Sequence, residues 1–211
     1  MQQDPTFADV QNVKHRAKIL KQSHPDLSYT KRLDRAAAEL LGVRNYHELN
    51  RRFQAVIDQH LDSPGGTHAV THCLFCDFRF AADIKEDQKE HRQIHERFLE
   101  VEERTGYRPR TYVQREKLKQ EGHTIAHAAG TLEKRIEGVL MVVQGWFERS
   151  YHGVIADGNW EKHPQFDSYV AMLAPTIEEL FPDLAQSIAD RYGRTPGVIA
   201  RGQTNWPAPI R

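Results

Sequence analysis

The sequence predicts a mainly α protein, with a helical N-terminal module, a small ββα-like zinc finger and a C-terminal helical bundle. Three observations carry that expectation. Apolar residues recur at helical spacing through most of the 211 residues. Asn, Ser, Thr and Gly punctuate those stripes where helices start and stop. The only two cysteines, Cys73 and Cys76, stand ahead of a histidine pair, His91 and His95, in the spacing of a four-ligand metal finger.

The first module spans residues 7–61. Val10, Val13, Ala17 and Leu20 share one face of a helix that His24-Pro25-Asp26 interrupts. A second helix runs from Ser28 or Thr30 to Leu41, with Gly42 as its C-cap. A third opens behind the N-cap Asn45 and reaches about His60. Ala36 to Val43 resembles the first helix and turn of a helix-turn-helix. Ala36 to Leu49 is also similar to a small helical module found at the N-termini of assorted bacterial proteins. A packed three-helix unit with a solvated basic face satisfies the same pattern. Asp62-Ser63-Pro64-Gly65-Gly66-Thr67 has linker composition.

The second module, residues 67–121, holds the metal motif Cys73-x2-Cys76-x14-His91-x3-His95. A Cys-Leu-Phe-Cys step forms a tight knuckle offering two thiolates, and histidines at i and i+4 project from one helix face. Two sulfur and two imidazole ligands fill a tetrahedral zinc shell and leave no open position for substrate, so zinc is the expected cofactor and its role structural. Val70 to Phe80 reads as a short hairpin and Asp83 to Thr105 as a charged helix ended by Gly106. His68 and His72 stand close enough in sequence to compete for the metal.

A DNA-reading finger places its base contacts just before the first histidine. Here those positions are Ile84, Glu86, Asp87 and Glu90, and three carboxylates would be repelled by phosphates. This finger does not read bases. The run Cys73-Leu-Phe-Cys76-Asp-Phe-Arg-Phe80, followed by Lys85 to Leu99, resembles the zinc finger of the sister-chromatid cohesion acetyltransferases. That resemblance implies Cys73, Cys76, His91 and His95 as zinc ligands and covers residues 73–99 only. Asp77 stands at the family's glycine and Ile94 at its phenylalanine. The nearest string to an acetyl-CoA loop, Arg135-Ile-Glu-Gly138-Val-Leu140, ends in leucine inside a helical stripe, so no acetyltransferase activity is expected.

Beyond the finger, Arg104, Arg108, Arg110, Arg115, Lys117 and Lys119 alternate with Tyr107 and Tyr112, the chain's best candidate for nucleic-acid contact. The C-terminal domain, residues 122–193, opens with an apolar stripe from Ile125 to Phe147 on a single helix. A loop over residues 152–164 and shorter helices to Tyr192 follow, and Gly193 stops them. Residues 194–211, with three prolines, read as an extended tail. His123 and His127 form a second i, i+4 pair without the HExxH of a catalytic zinc site. His152, Asp157 and His163 bracket the junction around Trp160.

Net charge is zero, but residues 62–103 carry 5 basic against 10 acidic groups and residues 104–130 carry 6 against 2. That balance does not suit a dedicated polyanion binder. No apolar run approaches the length of a membrane span, and two cysteines in metal spacing suit a reducing cytoplasm. There is no Walker loop, GxGxxG or GxSxG, and no positive evidence for catalysis. The expectation is a zinc-binding, non-enzymatic binding or regulatory protein with a protein partner. The alternatives are a nucleic-acid-associated protein using residues 14–35 and 104–119, and an enzyme with a site on the C-terminal helices around His123, His127 or His163.

Overall fold

In the computed structural model, which describes residues 4–63 and 70–207, a capping box starts the first helix. The Thr6 hydroxyl accepts from Asp9 N and the Asp9 carboxylate accepts from Thr6 N, which opens α1 (Phe7–Ser23). Ser28 caps α2 (Tyr29–Leu41), and Asn45 Oδ1 accepts from Glu48 N at 2.8 Å to cap α3 (Tyr46–Asp58). Gly42 ends α2 at φ 64°, a left-handed conformation glycine adopts without a Cβ penalty. The remaining elements are β1 (Leu61–Asp62), β2 (Val70–Cys73), β3 (Arg79–Ala81), α4 (Lys85–Thr105), α5 (Tyr112–His127), α6 (Leu132–Ala156), α7 (Phe166–Met172), α8 (Ala174–Leu180) and α9 (Pro182–Tyr192). The fold is mainly α with one small antiparallel sheet, as expected. No helix among the described residues is long and apolar enough to cross a membrane.

Contacts divide the chain into two compact units, Met1–Tyr107 and Arg108–Arg211. In the first, Val10, Val13, Ala17 and Leu20 of α1 meet Leu33, Ala36 and Ala37 of α2 and Leu49, Phe53 and Ile57 of α3, and Leu99 of α4 packs against that core. The long α4 is fastened to this core at two points, one inside the helix and one near its C-terminal end. Its Arg92 donates to Gln54 Oε1 at 3.0 Å and Asn50 Oδ1 at 2.7 Å on α3. Its Glu103 carboxylate accepts from Phe7 N and Ala8 N at 3.1 and 3.3 Å, so a side chain 96 residues away caps α1. Strand order is β1-β2-β3, with Leu61 opposite Cys73 and Thr71 opposite Phe80. Leu61, the last residue of the expected first module, and Asp62, the first of the expected linker, thus extend the finger's hairpin to three strands. The rest of that linker, from Pro64, lies outside the described residues.

In the second unit α5 and α6 form a tight antiparallel hairpin. Gly122 rests on Gly138, and Lys119 rests on Gly145. This corrects the single helix expected from Gly122 through Phe147. The chain breaks at Ala128–Thr131, where Thr131 caps α6 by accepting from Lys134 N. Leu132, expected on the apolar stripe, becomes the first residue of α6 and is exposed. Within the basic segment before Gly122, Thr111 and Gln114 form a capping box that starts α5 at Tyr112. At the other end α6 runs on to Ala156, through the expected loop at 152–156, because Val154 and Ile155 remain buried.

Residues 194–207 form no helix or strand, yet they are tied across the second unit. Thr195 N donates to Ala171 O at 2.9 Å, Gly202 N to Thr176 Oγ1 at 3.2 Å, and Trp206 N to Ser150 Oγ at 2.9 Å. Tyr169 Oη donates to the Thr204 carbonyl, and Ile199 is buried.

Candidate metal centre

The knuckle begins where β2 ends. Cys73 N donates to Phe78 O and Asp77 N to Cys73 O, each at 2.9 Å, closing a tight loop. Leu74 N donates to His60 O at 2.8 Å, anchoring the loop to the end of α3. The turn forces Asp77 to φ 62°, a left-handed conformation rare for residues with a Cβ. Its carboxylate lies 2.8 Å from His72 Nε2. His72, a sequence competitor for the metal, is therefore turned toward Asp77, while His68 lies outside the described residues.

Helix α4 brings His91 and His95 to the two sulfurs. All four side chains are buried, and their ligand atoms lie within 4.8 Å of one another. Cys73 Sγ is 3.3 Å from His95 Nδ1. Each imidazole is held by a ring from the hairpin: Phe80 stacks on His91 at 4.4 Å and Phe75 on His95 at 4.5 Å. The residues fit a metal ion, because Nε2 of both histidines is buried with no hydrogen-bond partner among the described residues. Both thiols are free rather than bridged. The hydrogen bond from Cys76, with those from His91 and His95, holds the Cys73 thiol far below the ordinary range. That same bond and burial push Cys76 well up. A metal ion held here would take the place of the Cys76 proton and lie between the two sulfurs.

Among the described residues this is the only group of three or more side chains able to hold a metal. His123 and His127 stack on each other at 6.2 Å and both lie on Phe181, and they gather no third ligand. Burial, then His127 and Lys119, lower the pKa of His123. His163 is buried at the junction of α6 and α7. Its Nδ1 is 3.0 Å from the Pro164 carbonyl, which can only accept, so Nδ1 carries the proton. Nε2 then accepts from the Ser150 hydroxyl at 2.9 Å. Asp157 caps α6, His152 lies on that helix, and Trp160 starts a 3-10 turn.

The basic residues of the 104–119 segment are distributed between the units. Arg104 belongs to the first and pairs with Glu100. In the second, Arg110 pairs with Glu148, Lys117 with Glu121 and Lys119 with Glu116. Arg115 is buried and donates to the Arg110 carbonyl at 2.5 Å, and Arg108 has a partner of its own. Glu148, with no exposed surface, accepts from Arg110 N at 2.8 Å and Gln144 Nε2 at 2.9 Å as well as from the Arg110 guanidinium. Nothing in the sequence distinguishes that carboxylate from a solvated one except its place among the apolar residues of α6.

No protein-family model, curated protein or solved structure matches the chain. No match supports the likeness of residues 73–99 to the acetyltransferase finger; what the structure supports is a Cys2His2-like cluster that could bind metal.

Proposed function

We propose that this chain is a zinc-binding, non-enzymatic binding or regulatory protein whose Cys2His2 centre is structural and supports interaction with a protein partner. The observation that carries this is the convergence of Cys73, Cys76, His91 and His95 in a buried cluster with unpartnered imidazole nitrogens. Two soft thiolates and two imidazoles select zinc over hard cations. With four protein ligands the ion supplies a cross-link rather than a reaction site. Cys73 and Cys76 would hold it from the hairpin and His91 and His95 from α4, joining the sheet to the helix that Glu103 and Arg92 fasten to the N-terminal core.

The test is metal content per chain by elemental analysis of untagged protein, beside Cys76→Ser and His95→Ala. One equivalent of zinc in the parent, lost in both variants with increased amide exchange across residues 70–105, supports the reading. Well-folded parent protein that holds no zinc after exposure to it overturns the reading.

A further inference from the structure

A cleft of about 560 Å³ lies beside the metal centre in the first unit, within the size range of small-ligand sites. Its inner surface includes Leu61, Phe80 and His91, and its far wall is Gln54 and Asp58 of α3. The near wall is one face of α4, where Lys85, Gln88, Lys89 and Arg92 recur at helical spacing. The charges of that helix are sorted by face. Glu86, Asp87 and Glu90 lie on the same turns but do not line the cleft. Asp58 is the one carboxylate among the lining residues, and Gln54 donates to it at 2.9 Å.

The cations are in two states of readiness. Arg92 is fixed by Asn50, Gln54 and Glu96 and so presents a preorganised guanidinium edge. Lys85 and Lys89 form no ion pair among the described residues. They stand in the first turns of α4, which no side chain caps and where the helix dipole is positive. Of the four metal-cluster residues, His91 alone lines this cleft.

We infer that the cleft binds a small organic polyanion of the di- or tricarboxylate class and that it is the route by which such an anion reaches the metal centre. Lys85 and Lys89 supply the attraction, Arg92 the fixed fork, and Phe80 with Leu61 the apolar surface for the ligand's carbon frame. Bound there, a carboxylate lies against the His91 edge of the cluster. Were zinc held by the four residues, His91, the one that reaches this cleft, would be the ligand an incoming carboxylate oxygen displaces, lone pair for lone pair and with no change of oxidation state. The metal part of this inference rests on the proposed zinc centre, whereas the anion site does not.

The experiment uses the full chain with citrate as the probe, followed by amide chemical shifts. Expected are saturable shifts in residues 85–92 and around Leu61 and Phe80, weakened at least tenfold in Lys85→Glu/Lys89→Glu. Shifts elsewhere only, or the same affinity in the variant, overturn the anion site. On zinc-loaded protein the rate of metal loss to nitrilotriacetate, an anionic chelator, is then compared with that to neutral 1,10-phenanthroline. The double variant should slow the first at least tenfold and leave the second within twofold. Equal effects on both chelators, or none on either, overturn the exchange route. A chain that binds citrate at residues 85–92 but holds no zinc would sink the structural zinc reading and leave the anion site standing.

Discussion

Gly122 and Gly138 meet backbone to backbone. A Cβ on Gly122 would fall 2.6 Å from the Gly138 carbonyl oxygen, and one on Gly138 would fall 2.5 Å from Ala126 N and 2.7 Å from the Gly122 oxygen. Neither neighbour is a flexible side-chain end that could swing aside, so the α5–α6 hairpin depends on both glycines. Gly153, also on α6, has nothing within 4 Å of its missing Cβ. Gly138→Ala should therefore cost about 1–3 kcal/mol by overpacking, while Gly153→Ala should stabilise by about 0.5–1 kcal/mol through helix propensity. All three tryptophans, Trp146, Trp160 and Trp206, lie in the second unit, so urea titrations followed by tryptophan fluorescence read this unit alone. Equal effects at the two positions would refute the close approach.

The pairing of Arg110 with the fully buried Glu148 makes a second prediction. Arg110→Ala takes a guanidinium away from a fully buried carboxylate and should cost about 3 kcal/mol. Adding Glu148→Gln should recover part of that loss, because a neutral amide needs no counter-charge. Strictly additive costs in the double-mutant cycle would contradict the pairing.

His163 sets a pH dependence with a definite sign. Burial lowers its pKa from 6.5 to about 4, so between those values the unfolded chain binds the extra proton and the folded one does not. The stability of the second unit is at its full value above pH 6.5 and falls as pH drops toward 4, by an amount on the order of 3 kcal/mol. His123, also lowered by burial, adds a contribution of the same sign. In His163→Gln the tryptophan-detected urea midpoint should vary much less between pH 7 and 5 than in the parent. An unchanged pH slope would count against it.

Asp77 tests the knuckle. Asp77→Gly relieves the left-handed backbone and gives up the His72 contact, so its metal affinity should stay within a few-fold of the parent. Asp77→Val, β-branched at φ 62°, cannot hold the turn without strain and should bind at least tenfold more weakly. Competition with a chromophoric chelator measures both. A valine variant as tight as the glycine variant would show that the turn does not set the sulfur positions.

Most of the architecture was legible where local chemistry and tertiary packing agree. Asn45, Gly42, Gly106 and Gly193 mark helix ends in the structure as the sequence implies, and the four metal-cluster residues announce themselves by type and spacing. The helix break at 128–131 was obscured because Ile125 and Leu132, seven residues apart, keep the apolar phase unbroken across it. Gly130 and Thr131 carried the signal, a turn residue followed by an N-cap, and the apolar stripe overrode it. His152-Gly153 misled in the opposite direction, since an exposed glycine interrupts a helix only weakly when Tyr151, Val154 and Ile155 are buried on its other face. The cleft beside His91 was out of reach because its walls come from α3, β1, β3 and α4, and no periodicity reports what meets across a gap.

The strap over the second unit bears on how the protein is made. Ser150, Tyr169 and Thr176 each hydrogen-bond to a residue between 202 and 206, up to 56 positions further on. A growing polypeptide that has already formed α5 to α9 still lacks those partners, and the Tyr169 and Thr176 hydroxyls wait in water. Closure of this half therefore waits until Trp206 has left the ribosome. A message truncated between Tyr192 and Gly202 would yield every described helix and still leave the unit unsealed.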